Sequence, residues 1–214
     1  MIKGVLVDWG GVLTTGLHEA IEAWIVTERI DAAHYRDVMR ELVMHAYEGE
    51  SGAENPIHAL ERGEISALEF ERDLAARLLT TDGVQPAAEG LLTRMFAGFQ
   101  PVQPMYDMLA AVREAGLKTC LLSNSWANDY PRDSWDGIFD EIVISGEIGM
   151  RKPEPRIFEY ALERVGLSGP ECVFIDDIEA NIVAARELGI VGVHHRDAAA
   201  TIAEMETLLS VPLR

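Results

Sequence analysis

The sequence predicts an α/β fold in which helices cover both faces of a parallel sheet, with a long helical insertion after the first strand. Three observations predict this fold. Short apolar runs of four to six residues recur along the chain, and most are separated by segments with helical periodicity. Between Gly16 and about Phe99 there is almost no strand signal, and this stretch is too long for a simple crossover.

The predicted strands are apolar throughout, which suits strands that are buried on both faces. They cover Val5–Asp8, Thr119–Ser123, Glu141–Ile144, Cys172–Asp176 and Val191–His194. Helical segments such as Tyr106–Ala115 and Ile157–Val165 lie between them, so the strands are expected to run parallel. Gly116, Gly166 and Gly189 follow periodic segments in the position where a left-handed residue ends a helix.

The insertion is predicted to be entirely helical. Its helices are expected at His18–Arg29, Asp31–Tyr47, Ser66–Leu79 and Ala87–Ala97. Ser66 followed by Glu69 forms a capping-box pattern, which defines the start of the third helix. We therefore divide the chain into an α/β core domain, residues 1–15 and 98–214, and a helical domain, residues 16–97.

Composition narrows the possible partners and environment. The 214 residues carry a formal net charge of −18, which argues against nucleic acid because polyanion binding depends on lysine and arginine. Cys120 and Cys172 lie in apolar runs and are expected to be reduced core thiols. With no signal-peptide pattern and no membrane span, we expect a cytoplasmic protein that binds no membrane. The sequence leaves open whether it is a monomer or a homodimer.

Polar and charged residues follow several of the predicted strands and precede one helix. They are Asp8, Ser123 with Asn124, Lys152, and Asp176 and Asp177 with Asn181. Each has an ordinary explanation when taken alone, such as a helix cap or a solvated lysine. Because the carboxyl ends of neighbouring parallel strands meet in one crevice, the whole set predicts a single site.

The chain resembles the haloacid dehalogenase (HAD) superfamily, whose four motifs it matches in order at Asp8, Ser123, Lys152 and Asp176-Asp177. Within that superfamily, four segments are similar to the subgroup that contains the N-terminal phosphatase domain of soluble epoxide hydrolase. They are Asp8-Trp-Gly-Gly-Val-Leu13, Leu60–Phe70, Gly149–Phe158 and Phe174–Asn181. The resemblance implies a Rossmann-like, doubly wound core and a helical cap formed by the insertion.

The resemblance also implies a magnesium-dependent phosphohydrolase that acts on a small phosphorylated metabolite. Asp8 would attack phosphorus and form an aspartyl-phosphate, with Ser123 and Lys152 as the other catalytic residues. Magnesium would bind Asp8, the backbone carbonyl of Gly10 and Asp177, supported by Asp176 and Asn181. The substrate contacts implied are Gly10, Gly11, Ser123, Asn124 and Lys152.

Gly10 departs from the pattern of the superfamily, whose phosphatases usually have a second Asp at that position. Gly10 keeps the carbonyl but lacks the general acid. The rate of hydrolysis should therefore fall more for alkyl phosphates than for aryl or acyl phosphates. A water, a substrate group or a cap residue such as Glu48 or Glu50 could replace the acid.

Two other functions stay open: a weakly catalytic protein that binds a phosphorylated ligand or partner, and a metal-independent dehalogenase-like hydrolase. The Asp176-Asp177 pair argues against the dehalogenase, because a metal-free site has no use for uncompensated negative charge.

Five further residues have competing interpretations. Trp9 and Trp126 flank site segments and could either wall a pocket or pack in the core. Arg151 is interpreted as a surface residue, although it adjoins Lys152. His194 and His195 are placed at a sheet edge and are not expected to bind a metal.

Overall fold

The computed structural model describes residues 1–47, 55–127 and 129–213, with the side chains of residues 43–47 outside the description. Its five strands form one parallel sheet in the order β3-β2-β1-β4-β5. The strands are β1 Gly4–Val7, β2 Lys118–Ser123, β3 Glu141–Ile144, β4 Cys172–Asp176 and β5 Val191–His194. All five predicted strands are confirmed, with ends that differ by no more than a residue.

The α-helices of the described residues lie in the insertion, before β2, between β3 and β5, and after β5. In chain order they are α1 Leu17–Thr27, α2 Ala32–Tyr47, α3 Pro56–Glu61, α4 Ala67–Arg77, α5 Leu91–Met95, α6 Gln103–Glu114, α7 Ser145–Ile148, α8 Pro155–Val165, α9 Glu179–Glu187 and α10 Ala198–Leu209. The glycines expected to end helices, Gly116, Gly166 and Gly189, all have positive φ angles, of 82°, 67° and 78°.

Strand β1 occupies the centre of the sheet and is buried along its whole length. Its residue Val5 pairs with Thr119 of β2 on one side and with Val173 of β4 on the other. Because side chains alternate along a strand, Val5 and Val7 pack against α6 and α10, whereas Leu6 faces α8 and α9. Helices therefore cover both faces, which confirms the doubly wound fold.

The inserted helices α1 to α5 have an apolar cluster of their own. It includes Trp24, Leu42, Phe70, Leu74 and Leu91, all of them buried. Ser66 accepts from the Glu69 N–H while Glu69 accepts from the Ser66 N–H, so the predicted capping box is confirmed.

Two predictions for the insertion were wrong. The helix expected at Ala87–Ala97 is only Leu91–Met95, because Gly90 adopts a left-handed φ of 70° that a helix interior does not accommodate. Helix α3 was missed. Its start signals are Asn55, which caps Ile57 N–H and His58 N–H, and Pro56 in the first turn.

The chain leaves the core and returns to it along two adjacent segments. Leu13 O accepts from Val102 N–H at 2.9 Å, and Thr15 N–H donates to Gln100 O at 2.8 Å. Thr14 and Pro101 form an antiparallel bridge between the same segments. This double connection joins the inserted helices to the carboxyl side of the sheet.

Two further expectations bear on the chemistry and environment of the chain. Cys120 and Cys172 are buried and free, as predicted. Among the described residues, no helix combines the length and the apolar character needed to cross a bilayer.

Candidate active site

Asp8 leaves the central strand directly at the carboxyl edge of the sheet. Its N–H donates to Ile175 O at 2.9 Å, which continues the pairing of β1 with β4 for one residue. Its Oδ1 accepts from Trp9 N–H at 2.8 Å and lies 2.8 Å from Lys152 Nζ. Only 7% of Asp8 is exposed, so the carboxylate is held in a protected position.

Lys152 links this carboxylate to the next loop. Its Nζ lies 2.8 Å from Asp8 Oδ1 and 2.7 Å from Asp176 Oδ2, and the residue is 1% exposed. Burial alone would lower the pKa of Lys152, but the carboxylates of Asp176 and Asp8 outweigh it and raise that pKa. The ammonium is therefore charged, and its partners make its burial possible.

Asp176 and Asp177 complete an acidic cluster with Asp8. One carboxylate oxygen from each lies within 4.8 Å of the others. Asp176 is fully buried, and both of its oxygens accept from Asn181 Nδ2 at 3.0 Å. Its Oδ1 also accepts from Ile178 N–H at 2.8 Å. When all three carboxylates are ionised and paired with one ammonium, the cluster carries a net charge of −2.

The electrostatics of the cluster favour a cation. Burial raises the pKa of Asp8 to about 7, although Lys152 opposes the rise. Burial, followed by repulsion from Asp176, raises the pKa of Asp177. Oxygen-only ligands of this charge match the preferences of a hard divalent ion such as Mg²⁺. The donor set therefore fits the predicted metal.

Gly10 and Gly11 follow Asp8 and differ in the space around them. Gly11 has a φ of 76°, and a Cβ at this position would collide with the Asp177 carboxylate. A Cβ at Gly10 would meet nothing within 4 Å. The close approach of loop and carboxylate thus requires glycine at residue 11 only.

Ser123 and Asn124 lie at the end of the adjacent strand β2. Ser123 Oγ is 3.0 Å from Tyr130 Oη. The Asn124 amide is occupied by Lys152, because Oδ1 accepts from Lys152 N–H at 2.8 Å and Nδ2 donates to Lys152 O at 3.0 Å. Asn124 thereby positions the lysine, and its backbone N–H is the part left for the predicted substrate contact.

Sequence reasoning missed Tyr130. Burial raises its pKa to about 12; the Ser123 hydrogen bond opposes the rise, and the nearby Asp8 charge adds to it. Tyr130 therefore belongs to the same group of side chains as Asp8 and Ser123. No spacing rule connects a tyrosine in a loop to a serine seven residues earlier, so the sequence carried no signal for it.

A polar network joins the inserted helices to the core beside this site. Glu61 of α3 accepts from Arg151 Nε and, at 3.0 Å, from Trp126 Nε1. Its backbone carbonyl accepts from Ser145 Oγ. The expectation that Arg151 is a surface residue was wrong, because its side chain is only 14% exposed and forms this ion pair. Glu61 was missed although it lies in a segment that the resemblance singled out.

Three of the remaining residues that had competing interpretations have definite partners. Trp126 packs against Phe70 and Phe96 of the insertion. His194 Nε2 lies 2.9 Å from Asp177 O, and His195 Nδ1 lies 2.9 Å from Thr201 Oγ1. Neither histidine belongs to the acidic cluster. Glu48 and Glu50, named as replacements for the missing acid, lie outside the described residues.

Comparison with known families matches residues 2–189 to the haloacid dehalogenase-like hydrolase model. The chain belongs to this family. Bifunctional epoxide hydrolase 2 of Rattus norvegicus is 33% identical over 114 residues, which are 49% of this chain and 20% of that protein. This chain therefore corresponds to only a fraction of that longer relative.

A sequence relative and a solved structure from Bacteroides thetaiotaomicron each match most of the hydrolase chain. D-ribitol-5-phosphate phosphatase is 27% identical over 210 residues, covering 88% of this chain and 89% of its own length. A HAD family enzyme solved with magnesium and inorganic phosphate is 25% identical, with a TM-score of 0.65 and coverage of 92% of this chain and 95% of its own. The Rossmann-like assignment of the core is consistent with this likeness.

Substituting the two site glycines should change the free energy of unfolding by different amounts. We expect Gly11→Ala to lower the free energy of unfolding by about 1–3 kcal/mol, because of its positive φ and the contact with Asp177. Gly10→Ala, the matched control, should change it by less than about 1 kcal/mol. Urea denaturation of both variants measures the difference, and equal effects would contradict the proposed steric constraint.

Removing the Glu61 carboxylate should weaken the attachment of the inserted helices. We expect Glu61→Ala to cost about 1–3 kcal/mol, because the half-buried Arg151 loses its carboxylate partner. Glu64→Ala removes a more exposed carboxylate from Arg62 and should cost less than about 1 kcal/mol. Thermal and urea unfolding compare the two, and a larger loss for Glu64→Ala would contradict this account.

Proposed function

We propose that this hydrolase is a magnesium-dependent phosphohydrolase that acts on a small phosphorylated metabolite. The observation that carries the proposal is the buried Lys152 bridge between Asp8 and Asp176, with Asp177 completing the acidic cluster. The phosphatase among its relatives and the structural neighbour with magnesium and phosphate support the same chemistry. Residues 16–97 would then act as a cap over a core made of residues 1–15 and 98–214.

The proposed metal ligands are the carboxylates of Asp8 and Asp177 and the backbone carbonyl of Gly10. Asp176 would not bind the metal directly but would orient the ligands around it. Its own carboxylate is fixed by hydrogen bonds from Asn181 Nδ2 to both oxygens and from Lys152 Nζ to Oδ2. Magnesium bound there supplies Lewis-acid stabilisation of negative charge on the phosphoryl oxygens. The two neighbouring carboxylates account for the requirement for a cation, because an anionic ester would otherwise be repelled.

Asp8 is the proposed nucleophile. One of its carboxylate oxygens forms a bond to phosphorus as the bond from phosphorus to the leaving oxygen breaks, and water later hydrolyses the aspartyl-phosphate. Lys152 opposes the rise in the pKa of Asp8 that burial causes, and its positive charge would balance the transition state. Ser123 and the backbone N–H groups of Gly11 and Asn124 would hold the phosphoryl oxygens.

Gly10 determines which leaving groups this site handles well. With no carboxylic acid at this position, the departing oxygen would receive its proton from water, from the substrate or from a cap residue such as Glu48 or Glu50. General acid catalysis contributes about 10²–10⁴-fold, so substrates with acidic leaving groups should be favoured. The acidic cluster does not suit the dehalogenase alternative, since a metal-free site would gain nothing from a net charge of −2.

Magnesium-dependent phosphate release is the first test. We expect hydrolysis of p-nitrophenyl phosphate and acetyl phosphate to require Mg²⁺ and to be abolished in Asp8→Asn, which lacks the nucleophile. Phosphate release is measured with and without EDTA, and melting curves check that the variant is folded. Phosphate-analogue binding with no turnover would favour the weakly catalytic alternative, and chloride release from a 2-haloacid in EDTA would favour the dehalogenase.

Restoring the acid is the second test. Gly10→Asp has room for its side chain and should raise kcat for alkyl phosphates, by up to about 10²–10⁴-fold if the new carboxyl protonates the leaving oxygen. Acetyl phosphate should gain much less. Gly10→Asn has nearly the same size without the acid and is the matched control; an equal gain in this variant would rule out proton transfer as the cause.

A further inference from the structure

A cavity of about 570 Å³ adjoins the candidate site, a volume typical of small-molecule pockets. It lies between α5 with the segment that follows it, the start of α6 and the loop after β2. Its wall is mainly aromatic and aliphatic, with Trp9, Phe96, Phe99, Tyr106 and Ile138 among the lining residues. Asp129 is the single charged residue among those that line it, so the described wall offers no cation.

The proposed phosphate contacts do not line the cavity themselves, and the side chains of Trp9 and Tyr130 connect them to its wall. Trp9 directly follows Asp8, and its ring centroid lies 4.8 Å from that of Tyr130. Tyr130 Oη is 3.0 Å from Ser123 Oγ, and the residues on either side of Tyr130 line the cavity. A phosphate ester held by Asp8 and Ser123 would therefore have its organic group next to this wall.

The chemistry of the wall selects the organic group. A polyol would bring several hydroxyls against a mainly apolar wall, and each hydroxyl that does not reach a polar side chain of that wall lowers affinity. The polar side chains of the wall are Thr14, Thr93, Gln103, Tyr106, Asp129 and Ser134. A flat ring instead finds aromatic neighbours such as Phe99, which packs edge-on to Trp9 at 5.5 Å and stacks on Phe96 at 5.4 Å. The cavity thus favours an uncharged aromatic group over a sugar or polyol.

Gly10 supplies an independent argument for the same class. Because no acid stands at that position, the reaction is easiest when the leaving oxygen is already a weak base. A phenolate is such a leaving group, whereas an alkoxide needs protonation as it departs. The apolar wall of the cavity and the absence of an acid at Gly10 therefore both favour an aryl phosphate.

We infer that the preferred substrates are aryl phosphate monoesters whose ring occupies the cavity walled by Trp9, Phe96 and Phe99. This inference rests on the proposed phosphohydrolase function. The Asp8 oxygen bonds to phosphorus while the bond from phosphorus to the phenolic oxygen breaks, and the phenolate leaves with the electron pair and takes a proton from water. Hydrolysis of the aspartyl-phosphate then regenerates Asp8.

A substrate series separates the two arguments. Phenyl and cyclohexyl phosphate share a size and differ in the leaving group; we expect phenyl phosphate to be favoured by at least about 10²-fold, mainly in kcat. Cyclohexyl phosphate and ribitol 5-phosphate are both alkyl esters; we expect the apolar one to be favoured at least about 10-fold, mainly in KM. Acetyl phosphate, which has no ring, reports the basic chemistry.

A cavity-filling variant tests the location of the ring. Ala97 lies on the exposed rim, and Ala97→Trp should lower the ratio of kcat/KM for phenyl phosphate to that for acetyl phosphate by at least about 10-fold. Ala23→Trp makes the same change at an exposed position of α1 outside the cavity and should leave that ratio unchanged. Melting curves check the folding of both variants, and the series on the unmodified enzyme does not depend on them.

The outcomes distinguish this inference from the function on which it rests. Turnover of acetyl phosphate together with equal or better use of ribitol 5-phosphate than of phenyl phosphate would overturn the inference alone. An unchanged ratio in a folded Ala97→Trp variant would also overturn it. Failure to hydrolyse any of the four phosphate compounds in the presence of Mg²⁺ would overturn both this inference and the proposed function.

Discussion

The site depends on one buried ammonium. Lys152 Nζ lies within 2.8 Å of Asp8 and 2.7 Å of Asp176, in a cluster where three carboxylates come within 4.8 Å of one another. That charge offsets the cost of burying the Asp8 and Asp176 carboxyl groups side by side. Asn124 in turn holds the Lys152 backbone on both sides, so the end of β2 sets the position of the ammonium between β1 and β4.

The loop that carries Lys152 also connects the site to the inserted helices. Arg151, the preceding residue, pairs with Glu61, which is joined to Trp126 and Ser145 of the core as well. One short segment therefore presents an ammonium to the acidic cluster and a guanidinium to the insertion.

Two consecutive glycines serve different purposes. Gly11 is required by its backbone angle and by the proximity of Asp177, whereas Gly10 has free space where a side chain would be. The glycine at residue 10 is therefore not imposed by packing. In the proposed phosphohydrolase the consequence is chemical, because no side chain at residue 10 can protonate the leaving oxygen. The apolar cavity beside Trp9 is compatible with leaving groups that do not need such help.

The sequence by itself determined the five strands, the doubly wound sheet and the convergence of Asp8, Lys152 and Asp176, because apolar periodicity is local and the carboxyl ends of parallel strands meet at one edge. Helix α3 and the short α5 were predicted poorly, since their ends depend on single capping or left-handed residues. The Glu61–Arg151 pair, the contact of Tyr130 with Ser123 and the aromatic cavity were decided only by the tertiary structure. Glu61 and Arg151 are 90 residues apart, and the cavity is lined by residues that precede the insertion, by the end of the insertion and by residues that follow it. No local pattern specifies such neighbours, because they exist only after the helices have packed.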